Sequence, residues 1–422
     1  MTNVTIELPN PISREFWTRP ADVIEHDLAD LIERGPTFHA DEPSQQPDMI
    51  PTGPGGWAIM RHADILEISK HPEIFSSANG ITALDAPPEF NEFFSSMIAM
   101  DDPRHGRLRK LVSKGFTPRM LNALSDGIVT QADSILDEVC ERGSCDFVVD
   151  VAARLPLQIV CDLMDIPASH YQDVFDNTNV ILGAGDPEYV PDQGDILTAI
   201  LTAGGNLAAI MTEVAESKKG SDGTDLTSIL VNADIDGEKL TFAEIASFFV
   251  LLVVAGNETT RNSISWALRY LTANPDQRAI WAGDVEAVST TAVEEVVRMA
   301  SPVTYMRRTV TADTEVGGVP MAAGDKVLMF YLAANRDPSV FDDPLRFDVL
   351  RNPNPHVGFG GPGPHFCLGA HLARRQISTM YERLFTRLPD IVAVGEPDLL
   401  ASSFIHGVKH QQAEFTPTAP LG

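Results

Sequence analysis

Apolar residues recur at three- and four-residue spacing through much of the chain. That period predicts helices around 105–142, 152–164, 196–218, 241–272, 284–300 and 367–388. Strand-like stretches are short. Trp57-Ala58-Ile59-Met60 follows the turn residues of 51–56. A second β-rich region spans 305–332, where Thr309-Val310-Thr311 and residues 326–330 flank the turns Gly317-Gly318 and Gly324-Asp325. Lys219-Gly220-Ser221-Asp222-Gly223 reads as a surface loop, because helical periodicity resumes directly after it, and no internal repeat is visible. The pattern predicts a mainly α protein, residues 1–422 as a single domain, with β-rich parts near 57–60 and 305–332.

One helix stands apart. Thr241 followed by Glu244 three residues later is a capping box, and no strong breaker follows until Asn274-Pro275. The helix would then run for about 30 residues, roughly 45 Å. Its stretch 248–254 is apolar on every side, so it must be buried and must cross the middle of the molecule.

Composition narrows the function. With 59 acidic and 31 basic residues the formal charge is −28, which repels a phosphate backbone or an anionic lipid surface. Nucleic-acid and membrane partners are therefore not expected. The opening residues MTNVTIELPN lack a basic start and an apolar core, and the apolar run at 245–256 is shorter than the ~20 residues of a bilayer span. A cytoplasmic monomer is the expectation. The four cysteines, Cys140, Cys145, Cys161 and Cys367, make no zinc spacing, and the first three read as small buried residues.

Four segments carry chemistry. The first, Ala255-Gly256-Asn257-Glu258-Thr259-Thr260, puts a glycine, a carboxylate and two hydroxyls directly after the apolar run. Either the helix emerges into solvent here, or it distorts so that a ligand approaches Gly256 while Glu258 and Thr259 move protons; this segment alone leaves both open. The second, from Gly358 to Arg374, contains a literal G-x-G-x-x-G at Gly358, Gly360 and Gly363. Pro353 and Pro355 precede it in place of a buried strand, and Pro362 and Pro364 interrupt it, so a dinucleotide loop is rejected. What remains is a rigid loop presenting Cys367 as a helix begins. There the helix dipole would lower the thiol pKa and suit metal ligation.

The third segment, Asp102-Pro103-Arg104-His105-Gly106-Arg107-Leu108-Arg109-Lys110, reads as an N-cap at Asp102 with Pro103 at the first helical position. His105 and Arg109 then share a face. Residues 103–119 hold six basic residues (Arg104, Arg107, Arg109, Lys110, Lys114 and Arg119) and no acid, which in so acidic a chain suggests an anion site and a docking surface for an acidic partner. The fourth, Glu295-Val296-Val297-Arg298, is an i, i+3 pair that in isolation is common surface decoration.

In this order the four segments resemble the cytochrome P450 family, the haem-thiolate monooxygenases, over nearly the whole chain. The resemblance implies a single-domain cytochrome P450 fold, a triangular helical prism with a small β region and haem b between two helices. Cys367, on the loop 358–369, would be the axial iron ligand, an arrangement that favours O–O cleavage. His105, Arg109, Arg308 and His365 would hold the propionates, since buried carboxylates need cationic partners. Ala255, Gly256, Phe359, Gly360 and Gly369 would also border the cofactor, and Glu295 and Arg298 would be a structural pair behind it. Two departures stand out: the family's commonest loop has Phe seven residues before Cys, whereas Phe359 is eight before and Gly360 takes that place, and the acid before Thr259 is Glu258 where many members have Asp.

Residues 352–361, 255–264 and 235–240 look most like bacterial members that hydroxylate sterols and methyl-branched lipids. That likeness implies a terpenoid, steroid or branched-lipid substrate, with contacts at Phe94, Leu251, Val303 and Phe404. The reaction would be C–H hydroxylation with O₂, Glu258 and Thr259 relaying protons. No flavin or iron–sulfur motif is present in the sequence, so electrons would come from a ferredoxin and its reductase. They would dock on Arg104, Arg107, Lys110 and Lys114, with Arg374 and Arg375. Rival readings are a peroxide-driven or non-oxidative haem-thiolate enzyme, in which the acid–threonine pair is dispensable, and a non-catalytic haem sensor, in which it has no purpose.

Overall fold

A computed structural model describes residues 10–43, 52–116, 118–235 and 238–422; of residues 34, 114, 118–123, 234–235 and 238 the backbone alone is described. The opening nine residues, Asp236-Gly237 of the 235–240 segment and the Lys114 side chain thus lie outside the described residues. Nine helices position the site: α1 (Pro88–Ser95), α2 (Arg104–Val112), α3 (Pro118–Val139), α4 (Arg154–Met164), α5 (Tyr171–Gly183), α6 (Ile196–Ser217), α7 (Phe242–Ala273), α8 (Val285–Ala300) and α9 (Ala370–Arg387).

The long helix α7 forms as its sequence dictates. Glu244 N–H donates to Thr241 Oγ1 at 3.2 Å, and Thr241 N–H donates back to Glu244 Oε2 at 2.9 Å. The helix runs 32 residues, about 48 Å, and stops where Pro275 opens the next helix. It separates two cores. Phe249, Val250 and Val253 pack with Val160 and Leu163 of α4 and with Leu207 and Met211 of α6. Further along, Ile264, Leu268 and Leu271 pack with Ile135 and Leu136 of α3, Val296 of α8 and Met380 and Leu384 of α9. Each such side chain contributes about 1.5–3 kcal/mol on burial, so α7 is fixed along most of its length.

Five strands form the main sheet: β1 (Thr37–Ala40), β2 (Gly56–Ile59), β3 (Phe75–Ser76), β4 (Tyr305–Val310) and β5 (Lys326–Phe330), in the order β1-β2-β5-β4-β3. β5 pairs parallel with β2 (Val327 opposite Trp57) and antiparallel with β4 (Val327 opposite Arg308). β5 is buried throughout, and its pairing holds β4, and with it Arg308, in the interior.

Some boundaries differ from the periodic reading. The stretch 105–142 is two helices, separated by a tighter turn over Ser113–Phe116 before Pro118 opens α3. Helix α2 begins at Arg104, so its N-cap is Pro103 and not Asp102; Asp102 stands one residue further out, its Oδ1 accepting the Gly106 N–H at 2.8 Å. By length and composition two helices, Gln193–Ser217 and Phe242–Ala273, are apolar enough to cross a bilayer, where the 245–256 run alone falls short. The second of them spends that apolarity on the two cores. Cys140, Cys145 and Cys161 are buried, and burial pushes the Cys145 and Cys161 thiols up to about 12.

Candidate active site

A cavity of about 230 Å³ lies between α7 and the loop before α9. Ala255, Gly256 and Thr259 of α7 line one side, and Phe359, Gly360, Cys367 and Gly369 line the other. The loop is shaped by close approach. A Cβ on Gly363 (φ +151°) would sit 2.2 Å from the Ser69 carbonyl oxygen, and one on Gly358 would sit 2.9 Å from the Val297 carbonyl oxygen. Gly360, at φ +84°, turns the chain. Cys367 N–H then donates to the Phe359 carbonyl at 3.0 Å, which fixes the cysteine backbone.

Cys367 is exposed, but the space it is exposed to is this cavity, and the protein around it still desolvates the thiol. The helix terminus was expected to lower its pKa. In the protein alone burial outweighs that effect and raises it, against the Gly369 N–H and the charges of Arg109 and Arg374, which pull it down. A metal cation at the sulfur would reverse the balance, since a coordinated thiol is deprotonated.

One flank of the cavity is cationic. Arg109, Arg308 and His365 line it, and the His105 ring lies behind, its centroid 4.2 Å from that of His365. Arg308, which comes from β4, donates to the Arg307 carbonyl at 2.7 Å, and Arg109 donates to the Phe366 carbonyl at 2.5 Å. His105 is 2% exposed and its Nε2 is buried without a partner. Burial first, then Arg308, His105 and Arg109, hold His365 down at about 2; burial and Arg109 likewise lower His105. Among the described lining residues none is acidic. Two guanidiniums and two imidazoles, whose pKa values burial and the neighbouring arginines lower, fit a ligand that brings carboxylates, as a haem with its two propionates does.

On the opposite side Thr259 Oγ1 donates to the Ala255 carbonyl at 2.7 Å. The helix is unbroken here; Gly256 lines the cavity, and a Cβ there would also lie 2.9 Å from Val160 Cγ2. Glu258 neither faces solvent nor lines the cavity; it is 1% exposed. Its Oε1 pairs with Arg261 and accepts from Asn262 Nδ2 at 3.1 Å, while Oε2 has no partner. Arg261 also donates to Asn179 Oδ1 of α5 at 2.9 Å. Asn257 is fully buried with both amide atoms unpartnered.

Glu295 and Arg298 are both fully buried and meet through two bonds of 2.7 and 2.8 Å. Arg298 also donates to the carbonyls of Asn335 and Pro344, and Glu295 accepts from Asp348 N–H, Arg351 and Asn354. The pair is an internal tie between α8 and the segment leading to the cysteine loop, not surface decoration. Of the residues expected at a substrate, Leu251 and Val303 line the cavity. Phe94 lies outside the lining, against Phe90 and Phe93, and Phe404 lies outside it with its edge on Tyr305. On the basic face Lys110 and Arg375 are exposed, Arg107 is half-buried, Arg104 pairs with Glu92 and Arg374 with Glu294. Sequence reasoning missed Arg351, Asn354 and Asn179, which no periodicity marks. It also passed over Arg261, whose i+3 spacing from Glu258 was a usable signal.

Comparison with known proteins agrees with this geometry. The family model described as Cytochrome P450 matches residues 202–280 and 287–389. A methyl-branched lipid omega-hydroxylase of Mycobacterium tuberculosis is 46% identical over 94% of this chain and 92% of its own length. A steroid C26-monooxygenase of the same organism is 40% identical over 87% and 84%. A Mycobacterium marinum cytochrome P450 solved in complex with pseudoionone superposes with a TM-score of 0.92 at 40% identity, covering 97% of this chain and 98% of that one. With relatives this similar along nearly their whole length, the chain belongs to the cytochrome P450 family: it is a monooxygenase that uses a cysteine-ligated haem b and takes O₂ as co-substrate.

Proposed function

We propose that this enzyme hydroxylates the end of an apolar chain, a methyl-branched lipid or the side chain of a steroid, on a haem held by Cys367. The observation that carries the reading is the cavity itself: apolar side chains such as Leu251 and Val303 share one space with Thr259 and Cys367, while every charge on the lining is cationic and confined to one flank. The omega-hydroxylase and C26-monooxygenase relatives support a lipid or steroid substrate.

Arg109, Arg308, His105 and His365 hold the two propionates, and a second carboxylate-bearing ligand would find no further cation on the apolar side. Bound there, the haem iron supplies the chemistry that splits dioxygen, one atom entering the C–H bond and the other leaving as water, for two electrons and two protons. Thr259 presents its hydroxyl to the cavity and passes protons. Glu258 supplies them from behind, where Oε2, the oxygen not tied to Arg261, has no hydrogen-bond partner. Electrons arrive from a ferredoxin and its reductase at the face carrying Lys110 and Arg375. The test is an optical titration of the ferric enzyme with branched fatty alcohols, terpenoids and steroids. A low-to-high-spin change is expected with a branched lipid or a steroid. A response to small polar ligands alone would overturn the substrate reading.

A further inference from the structure

Around Phe359 the side chains form a closed chain that the proposed mechanism does not use. His356 Nδ1 accepts the Gly358 N–H at 3.1 Å, so the ring proton sits on Nε2, which donates to Glu294 Oε2 at 2.9 Å. Glu294 also receives Arg374, with Nε on Oε1 at 2.5 Å and Nη2 on Oε2 at 2.9 Å. This fork fixes the plane of the guanidinium, whose carbon lies 4.3 Å from the centre of the Phe359 ring. The His356 ring is 5.8 Å from the same ring. Phe359 in turn offers the carbonyl on which Cys367 N–H is fixed. Burial alone would raise the Glu294 carboxyl; Arg374 and His356 more than offset it and hold it at about 2.

The segment carrying Phe359 has no helix or strand to hold it; Gly360 beyond it, at φ +84°, turns the chain with its N–H donating to the Val357 carbonyl at 2.9 Å. Val357 N–H is anchored on Asn335 Oδ1 at 2.7 Å, and at the far end of the loop Arg109 donates to the Phe366 carbonyl and His365 Nε2 meets Ser77 Oγ at 3.2 Å; beside Phe359 itself the side-chain ties are those of His356, Glu294 and Arg374. Arg374 is half-buried, paired with Glu294 and stacked over Phe359.

We propose that Glu294, Arg374 and His356 are positioning residues for the axial thiolate: together they hold Phe359, and through its carbonyl the backbone of Cys367, in the geometry that iron ligation needs. This rests on the reading that Cys367 is the axial ligand. Glu294→Gln breaks the unit by a clear route. Glutamine offers one acceptor oxygen where Glu294 offers two, so its NH2 group sets donor against donor either at His356 Nε2–H or at Arg374 Nε–H; relief at His356 by a tautomer change would remove the acceptor of Gly358 N–H. Phe359→Leu leaves the ion cluster intact and removes only the ring face beneath Arg374. Arg374→Lys keeps the charge and loses the fork.

The experiment follows the reduced, carbon-monoxide-bound holoenzyme by absorption over time. In wild type the red-shifted Soret band of thiolate ligation persists. In Glu294→Gln and Phe359→Leu it converts to the shorter-wavelength band of lost thiolate ligation roughly tenfold faster, with helix content by circular dichroism unchanged and Arg374→Lys intermediate. If Glu294→Gln does not fold, Phe359→Leu decides. Wild-type lifetimes in the variants would overturn the positioning role alone, whereas absence of the red-shifted band in wild type would overturn the axial-ligand reading and this inference with it.

Discussion

Thr259 and Glu258 stand one residue apart and face different surroundings. Thr259 lines the cavity, and Glu258 is locked behind it against Arg261. If protons pass through Thr259, Thr259→Ala will keep haem and substrate binding yet divert electrons from product to peroxide, lowering product formed per electron pair consumed by about tenfold or more; peroxide and product yields measured together check this. The buried Glu295–Arg298 pair makes a different prediction. Arg298→Met leaves a carboxylate in the core facing carbonyls that have lost their donor, so unfolding in urea should show a loss of about 3–5 kcal/mol. Cys367, its glycine loop and Arg308 were legible in the sequence because special backbone shape and resemblance mark them. The surroundings of Glu295 were not, since Arg351 and Asn354 come from irregular chain whose path only tertiary packing sets. The orientation of Glu258 was not legible either, because a helix position fixes a face and not which neighbour a carboxylate chooses.

At the scale of elements, α7 was the most legible. The capping box and the apolar stretch fixed its start and its burial, and Thr241→Ala should cost about 1 kcal/mol by thermal denaturation. Helix α5 escaped the periodic reading because its buried face carries the polar Thr178 and Asn179 beside Val174 and Gly183. The junction of α7, α8 and the C-terminal strands carries a pH dependence. His406 donates from Nδ1 to the Ala300 carbonyl at 2.6 Å, stacks on Trp266 at 4.4 Å, and burial holds its pKa down at about 4 against an ordinary 6.5. The folded form thus resists a proton that the unfolded chain accepts. Its contribution is complete above 6.5 and is lost as the pH falls toward 4, about 3 kcal/mol over that window. His406→Asn should flatten this part of the stability profile, measured by urea unfolding at stepped pH; an unchanged slope would contradict the assignment.

The whole molecule is strongly acidic, with a charge of −28, yet the face near the cysteine loop carries exposed Lys110 and Arg375. An acidic ferredoxin would be steered there, so its rate of electron transfer should fall as salt rises, and Lys110→Glu with Arg375→Glu should lower that rate several-fold while leaving substrate affinity unchanged. Stopped-flow reduction across a salt series measures both. The central claim, that the cavity between Thr259 and Cys367 oxygenates the end of an apolar chain, meets its most direct test in turnover of a methyl-branched lipid or steroid with ferredoxin, reductase and isotopically labelled dioxygen. The account predicts one labelled hydroxyl at the chain end and none in a Cys367→Ala variant. No hydroxylated product, or a hydroxyl whose oxygen comes from water, would contradict it.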